Sequence, residues 1–257
     1  MYEDLRDKVV IVAGGAGGIG ASQVRKLDAA GAHVVVADRD EDAGRKLVAE
    51  LGEDRSLFVR IDVSIPADWE MLVDRTMARF ARIDGLSNSF GIAPQSSLEE
   101  LSPEQYKTVV SVNQAGTFLG IHSVFPHMIG RGGSIVNVAS GAAYRALPYH
   151  FAYAATKAAI IAMTRDAAAE LGQHNIRVNC VSPGAIRTNL QAATVAQWQR
   201  SRPTYDDSQA FAAHPLGRIG EPDEVAEAIL FFLSDASSYC TGTALLVDGG
   251  IVAGSRP

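Results

Sequence analysis

Cysteine is scarce in this chain: Cys180 and Cys240 are the only two among 257 residues, and both sit in apolar stretches far apart in sequence. A disulfide framework is excluded as the basis of the fold, and both side chains are expected to be reduced core thiols of a cytosolic protein. Long hydrophobic runs are missing as well. The first apolar run, Val9 to Ala13, is far too short to cross a bilayer, and no later run is long enough. The opening residues Met1 to Lys8 are charged and acidic, unlike a secretion signal, so a soluble cytoplasmic protein without a membrane partner is expected. Positive charge is neither dominant nor clustered. Twenty-three Lys and Arg stand against 29 Asp and Glu, giving a net charge of −6 and a pI near 5.5. That distribution offers no footprint for nucleic acid. Metal-ligand spacing is also lacking: His122 and His127 are five apart and face different sides of their helix, so no metal is expected. There is no internal repeat, no low-complexity segment and no linker long enough to divide the chain.

What is present is a regular alternation. Lys8-Val9-Val10-Ile11-Val12-Ala13 is a short, β-branched apolar run of the kind buried on both faces of a sheet. It leads through a glycine-rich stretch into a helix over 21–30, which Gly31 ends, and then into a second apolar strand over 33–37. The pattern continues with helices over 41–51, 66–80, 103–128, 153–171 and 223–233. Strands are expected over 57–61, 85–89, 134–139, 177–181 and 244–247. Seven strands alternating with helices predict a doubly wound parallel sheet, Rossmann-like, with residues 1–257 as one domain. The segment at about 188–215 breaks the alternation and carries Trp198, Tyr205, Phe211 and His214. It is expected to be irregular, partly helical, and placed over the substrate.

The glycines occur where a ligand-binding loop needs them: after a strand, before a helix, with a carboxylate ending the next strand. Such glycines let the backbone approach a pyrophosphate, which rests on the helix N-terminus, where free N–H groups and the dipole favour negative charge. Two registers fit: Gly15, Gly17 and Gly20, or Gly14, Gly18 and Gly20. Asp38, at the end of the second strand, accepts hydrogen bonds from ribose hydroxyls and repels a 2′-phosphate, which favours NAD over NADP. Arg39 is the residue that would favour NADP.

The last signal is spacing. Tyr153 and Lys157 are four apart in an alanine-rich helix, hence on one face about 6 Å apart along the axis. An ammonium that close favours phenolate and lowers a tyrosine pKa from about 10 toward working pH. Ser140 lies thirteen residues before Tyr153 and follows the apolar strand ending at Ala139, so it stands at a strand's carboxyl end, where ligands of such sheets bind.

With the glycine loop, Asp38 and Ser140, Tyr153 and Lys157 in one chain, the sequence resembles the short-chain dehydrogenase/reductase family in its single-domain form, over nearly its whole length. The family's glycine pattern selects Gly14, Gly18 and Gly20, followed here by Ala21 and with Ile19 inside it; Ala13 replaces the family's leading threonine. By resemblance, Asp62 and Val63 lie at the adenine. Asn88-Ser89-Phe90-Gly91 stands for the family's Asn-Asn-Ala-Gly, with Asn88 and Gly91 as cofactor-side residues and Phe90 displacing something there. The resemblance also makes Asn113 the asparagine of a catalytic tetrad with Ser140, Tyr153 and Lys157. Pro183, Gly184, Ile186 and Thr188 would hold the nicotinamide, and Asp248-Gly249-Gly250 resembles the family's ending at a subunit interface. A homotetramer is implied.

These readings predict an NAD-dependent oxidoreductase moving a hydride between the cofactor and a small-molecule secondary alcohol or ketone, apolar or cyclic, with a hydroxysteroid as one such class. Tyr153 would take the alcohol proton, Ser140 would hold the substrate oxygen, and Lys157 would tune the tyrosine and hold the ribose. Asn113 would position a water linking Lys157 to solvent. Ala142, His150, Ala185 and residues 191–215 are the expected pocket wall, although a partly exposed loop is the commoner place for a histidine such as His150. The alternatives are an NADP-dependent ketone or 3-oxoacyl-thioester reductase, and, in another class, a non-catalytic nucleotide sensor on the same fold.

Overall fold

In the computed structural model, which describes residues 2–52, 54–201, 206, 211–212 and 214–255, Val9–Ala13 forms β1 and is buried along its whole length. The other strands are β2 (His33–Asp38), β3 (Ser56–Arg60), β4 (Gly85–Asn88), β5 (Gly133–Val138), β6 (Ile176–Pro183) and β7 (Ala244–Val247). The helices are α1 (Gly18–Ala29), α2 (Glu41–Leu51), α3 (Pro66–Phe80), α4 (Pro103–Val109), α5 (Gly116–Val124), α6 (Phe151–Leu171), α7 (Asn189–Ser201) and α8 (Pro222–Leu233). Successive side chains of a strand point to opposite faces. Val10 and Val12 therefore join one apolar cluster, with residues of α1, α2 and α8, while Val9, Ile11 and Ala13 join another, with residues of α3, α5 and α6. Burial on both faces is why β1 is continuously apolar rather than alternating.

The strands lie in the order β3–β2–β1–β4–β5–β6–β7, every pair parallel. After β3 the chain crosses back to place β4 on the far side of β1, so the winding reverses between β1 and β4. Ligands of such sheets bind outside the carboxyl ends of the strands at that switch point.

Two expected elements differ. The helix predicted over 103–128 is not one regular helix: α4 passes into a π-helical stretch, Val110–Ala115, then into α5, and ends in a 3-10 turn, Phe125–His127. Pro126 has no N–H to continue the ladder, and a π turn inserts an extra residue, here around the fully buried Asn113. The segment after residue 188, expected to be irregular and partly helical, begins with a regular thirteen-residue helix, α7. Tyr205, expected to contribute to this segment, lies outside the described residues. Cys180 is buried, Cys240 is only half-buried, and both are free thiols.

Candidate active site

The carboxyl ends of β1, β2, β4, β5 and β6 converge on one cavity of about 740 Å³. At the end of β1 the loop turns through Gly14, whose φ is 79°, and a Cβ there would stand 2.7 Å from the Phe90 backbone nitrogen. Two chain segments pass that closely because the loops after β1 and β4 meet at the switch point. Gly20 serves a different contact: a Cβ on it would run into the carbonyl oxygen of Gly14, so only glycine lets α1 seat against the loop. α1 begins at Gly18 with Gly17 at its N-cap, no side chain capping it, and no acidic residue in its first turn. Asp38 borders the cavity with its carboxylate fixed by the backbone N–H groups of Ala16 and Asp40, each at 3.0 Å. Asp62 lies farther along the wall, its Oδ1 accepting from the N–H and hydroxyl of Ser64, which lowers its pKa.

Ser140, just past β5, has its Oγ accepting from the Ala142 N–H at 3.1 Å and borders the cavity beside the half-buried Tyr153. Lys157, one turn on, is 3% exposed; its Nζ donates to the Val138 carbonyl at 2.7 Å and stands 5.6 Å from the Tyr153 ring centre. Burial pushes the lysine down to about 8. Burial also pushes the phenol above its ordinary value, more than the nearby Ser140 hydroxyl lowers it. The expected lowering of the tyrosine by Lys157 is thus outweighed: the ammonium is turned onto Val138, and desolvation dominates.

Asn113 does not border the cavity. Its Oδ1 accepts from the Ile92 N–H and its Nδ2 donates to the Ile92 carbonyl, both at 2.9 Å, with Thr156 Oγ1 at 3.2 Å. The segment it holds includes Gly91, where a Cβ would be 3.3 Å from Lys157 Nζ. On the other flank, Pro183, Gly184, Ile186 and Thr188 line the cavity. Thr188 Oγ1 accepts from the Gln191 N–H and so caps the first turn of α7. α7 is tied across the opening by Gln95, whose Nε2 donates to the Thr194 carbonyl at 3.0 Å while Gln197 Nε2 donates back to the Gln95 carbonyl at 2.7 Å.

A family model described as enoyl-(acyl carrier protein) reductase matches residues 14–252, which include the glycine loop and every residue of this site. The chain belongs to the short-chain dehydrogenase/reductase family. It is 40% identical over 254 residues to 2,5-dichloro-2,5-cyclohexadiene-1,4-diol dehydrogenase of Sphingobium indicum, covering 97% of this chain and 99% of the relative. Trans-4-hydroxycyclohexanecarboxylate dehydrogenase of Sinomonas cyclohexanicum is 36% identical over 258 residues, covering 97% of this chain and 95% of the relative. A crystal structure of levodione reductase superposes with a TM-score of 0.91 at 35% identity, over 96% of this chain and 98% of the other.

Within this short-chain dehydrogenase/reductase, most residues expected at the cofactor border the cavity: Gly14, Gly18, Ile19, Asp38, Asp62, Val63 and Gly91, besides the β6-side residues. Gly20 and Asn88 do not. Gly20 packs helix on loop, and Asn88 is buried in the sheet, its Nδ2 donating to Asn137 Oδ1 at 2.9 Å. Asn88 therefore supports β4 against β5 rather than reaching a ligand. Phe90 finds its room on the helix side: its ring is edge-on to Trp69 at 6.3 Å, and a Cβ at Gly116 would come within 3.1 Å of it. The glycine at 116 is what admits a phenylalanine at 90.

Ala142, His150 and Ala185 line the cavity as expected. His150, however, is no exposed loop residue: it is 3% exposed and packs against Tyr153 and Trp198. Its place three residues before Tyr153 was the signal that it could reach the pocket, though not that it would be buried there. The Gln95–Gln197 tie had no such signal, because its partners are 102 residues apart. The donor set fits a nicotinamide dinucleotide: a glycine cradle with open space at Gly17, an uncapped helix start, and a carboxylate one strand over.

Proposed function

We propose that this protein oxidises a secondary alcohol on a largely apolar ring, or reduces the matching ketone, using NAD(H). The observation that carries the reading is that Ser140, Tyr153 and Lys157 line the same cavity as Asp38 and the glycine loop. The cofactor, when bound, supplies the hydride acceptor or donor. Ser140 Oγ, held by the Ala142 N–H, is oriented to hydrogen-bond the substrate oxygen and stabilise its developing charge. Tyr153 exchanges the proton of that oxygen, work worth roughly 10²–10⁴-fold. Lys157, with its pKa held near 8, places a cation beside the Tyr153 ring and anchors the ribose by resemblance. Asn113 acts through the Ile92 backbone, as a positioning residue.

The ring preference is supported by two relatives that act on hydroxylated or carboxylated six-membered rings, as their names state. It also fits the apolar wall formed by Ala142, Leu147, Ala185, Leu190 and Trp198, with α7 covering the site. NAD is favoured because the Asp38 carboxylate would face a 2′-phosphate. Arg39 on the same wall supports the NADP-linked alternative, a ketone or 3-oxoacyl-thioester reductase. Formation of NADH or NADPH with a panel of cyclic alcohols, and its reversal with the ketones, tests the reading. Turnover of acyl thioesters alone would overturn it.

We extend the proposal to a homotetramer in a reducing, cytoplasmic setting. Exposed Phe118 and the exposed Leu245 and Leu246 of edge strand β7 support association, and the free thiols support the setting. Light scattering on the purified protein tests the assembly, and a monomer would end that part of the proposal.

A further inference from the structure

The substrate half of the cavity holds a buried imidazole that the chemistry above leaves unused. His150 stands at the N-cap of α6 and is buried. Its ring lies edge-on to Tyr153, centroids 6.0 Å apart at 68°, and edge-on to Trp198, 5.9 Å apart at 75°. These two rings fix its orientation. Its Nδ1 is 2.9 Å from the Pro148 carbonyl oxygen. A carbonyl can only accept, so Nδ1 carries the proton. Burial holds the imidazole below the ordinary histidine range, and the ring stays neutral at working pH. Nε2 is then a bare acceptor. It has no hydrogen-bond partner among the described residues, and the residue borders the cavity.

We propose that His150 Nε2 accepts a hydrogen bond from a second hydroxyl on the ring that bears the reacting carbon, so that the preferred substrates are cyclic diols or polyols rather than simple cyclic alcohols. His150 precedes Tyr153 by three residues and shares its helix face, so a ring whose carbinol meets the phenol extends past the imidazole. The wall residues Ala142, Leu147, Ala185 and Leu190 are apolar, while Asn189, Gln191 and Thr194 of α7 also line the cavity. An acceptor whose ring is held by two neighbours discriminates by chemistry: it rewards a donor and gives nothing to an ether oxygen or a methylene.

The inference rests on the proposed reaction, and the test separates the two. The full-length protein with NAD is assayed on the 1,2-, 1,3- and 1,4-cyclohexanediols, on the monomethyl ether of each, and on cyclohexanol. At least one diol is expected to exceed both its own ether and cyclohexanol in kcat/KM by about tenfold or more, beyond the twofold that two equivalent hydroxyls provide. His150→Phe, which keeps a ring against Tyr153 and Trp198, is expected to bring that ratio near one. His150→Gln, which keeps an acceptor, is expected to retain part of it. Equal kcat/KM for diols, ethers and cyclohexanol in the wild type, or a ratio that survives His150→Phe, overturns the inference while leaving the reaction standing. Failure to turn over any of these alcohols or the matching ketones overturns both. The comparison of diol with ether needs no variant, so it holds even if His150→Phe does not fold.

Discussion

Asn113 clamps Ile92 with both ends of its carboxamide: Oδ1 takes the N–H and Nδ2 gives to the carbonyl, each at 2.9 Å. The clamp joins the π-helical stretch to the segment after β4, and Thr156 of α6 closes it from the other side. Gly91, next to the clamped residue, lies beside Lys157 Nζ. α6 and the loop after β4 are thereby held at one spacing.

Removing the clamp should cost stability and turnover together. Asn113→Ala leaves the Ile92 N–H and carbonyl without their partner, a loss of about 1–3 kcal/mol. Urea unfolding measures the first effect and kcat the second. A variant as stable as the wild type would show that Ile92 finds other partners.

Tyr153→Phe keeps the ring beside Lys157 and His150 but removes the oxygen that the proposed reaction uses to exchange the proton. NADH binding, followed by its fluorescence, is expected to persist while turnover falls roughly 10²–10⁴-fold. Wild-type rates in this variant would remove Tyr153 from the chemistry.

Asp38→Ser tests the cofactor preference. A carboxylate facing a phosphate at ~4 Å is worth about 1–4 kcal/mol of repulsion, so the ratio of NADPH to NADH affinity should rise about tenfold or more. Titration of both cofactors checks it, and an unchanged ratio would place the selectivity elsewhere.

Lys157 makes stability depend on alkaline pH. The unfolded lysine keeps its proton up to about 10.5, whereas the buried one releases it near 8. Between those values the unfolded state binds more protons, so stability contributed at this site rises with pH across that window, by about 3 kcal/mol in all. Lys157→Met has no such group. The difference in unfolding free energy between wild type and variant should therefore shift in favour of the wild type from pH 8 to pH 10.5. A constant difference would mean that the folded lysine is not perturbed.

Much was legible in one dimension. Continuous β-branched runs marked the inner strands because both faces of a parallel sheet are covered. The four-residue step from Tyr153 to Lys157 marked one helix face, and the strand before Ser140 put that hydroxyl at the ligand edge. These are local relations, fixed by helical and strand periods that the chain carries wherever it folds. The π-helical stretch around Asn113, the reason for Phe90 and the burial of His150 were not legible in this way. Each depends on a partner distant in sequence: Ile92, Gly116 or Trp198. The sequence by itself determined which groups are candidates for the chemistry and on which elements they ride. Only the tertiary structure decided how they are tuned, because burial and hydrogen-bond direction come from neighbours that the sheet brings together. That is why Lys157, expected to lower the phenol, donates to Val138 while desolvation raises Tyr153.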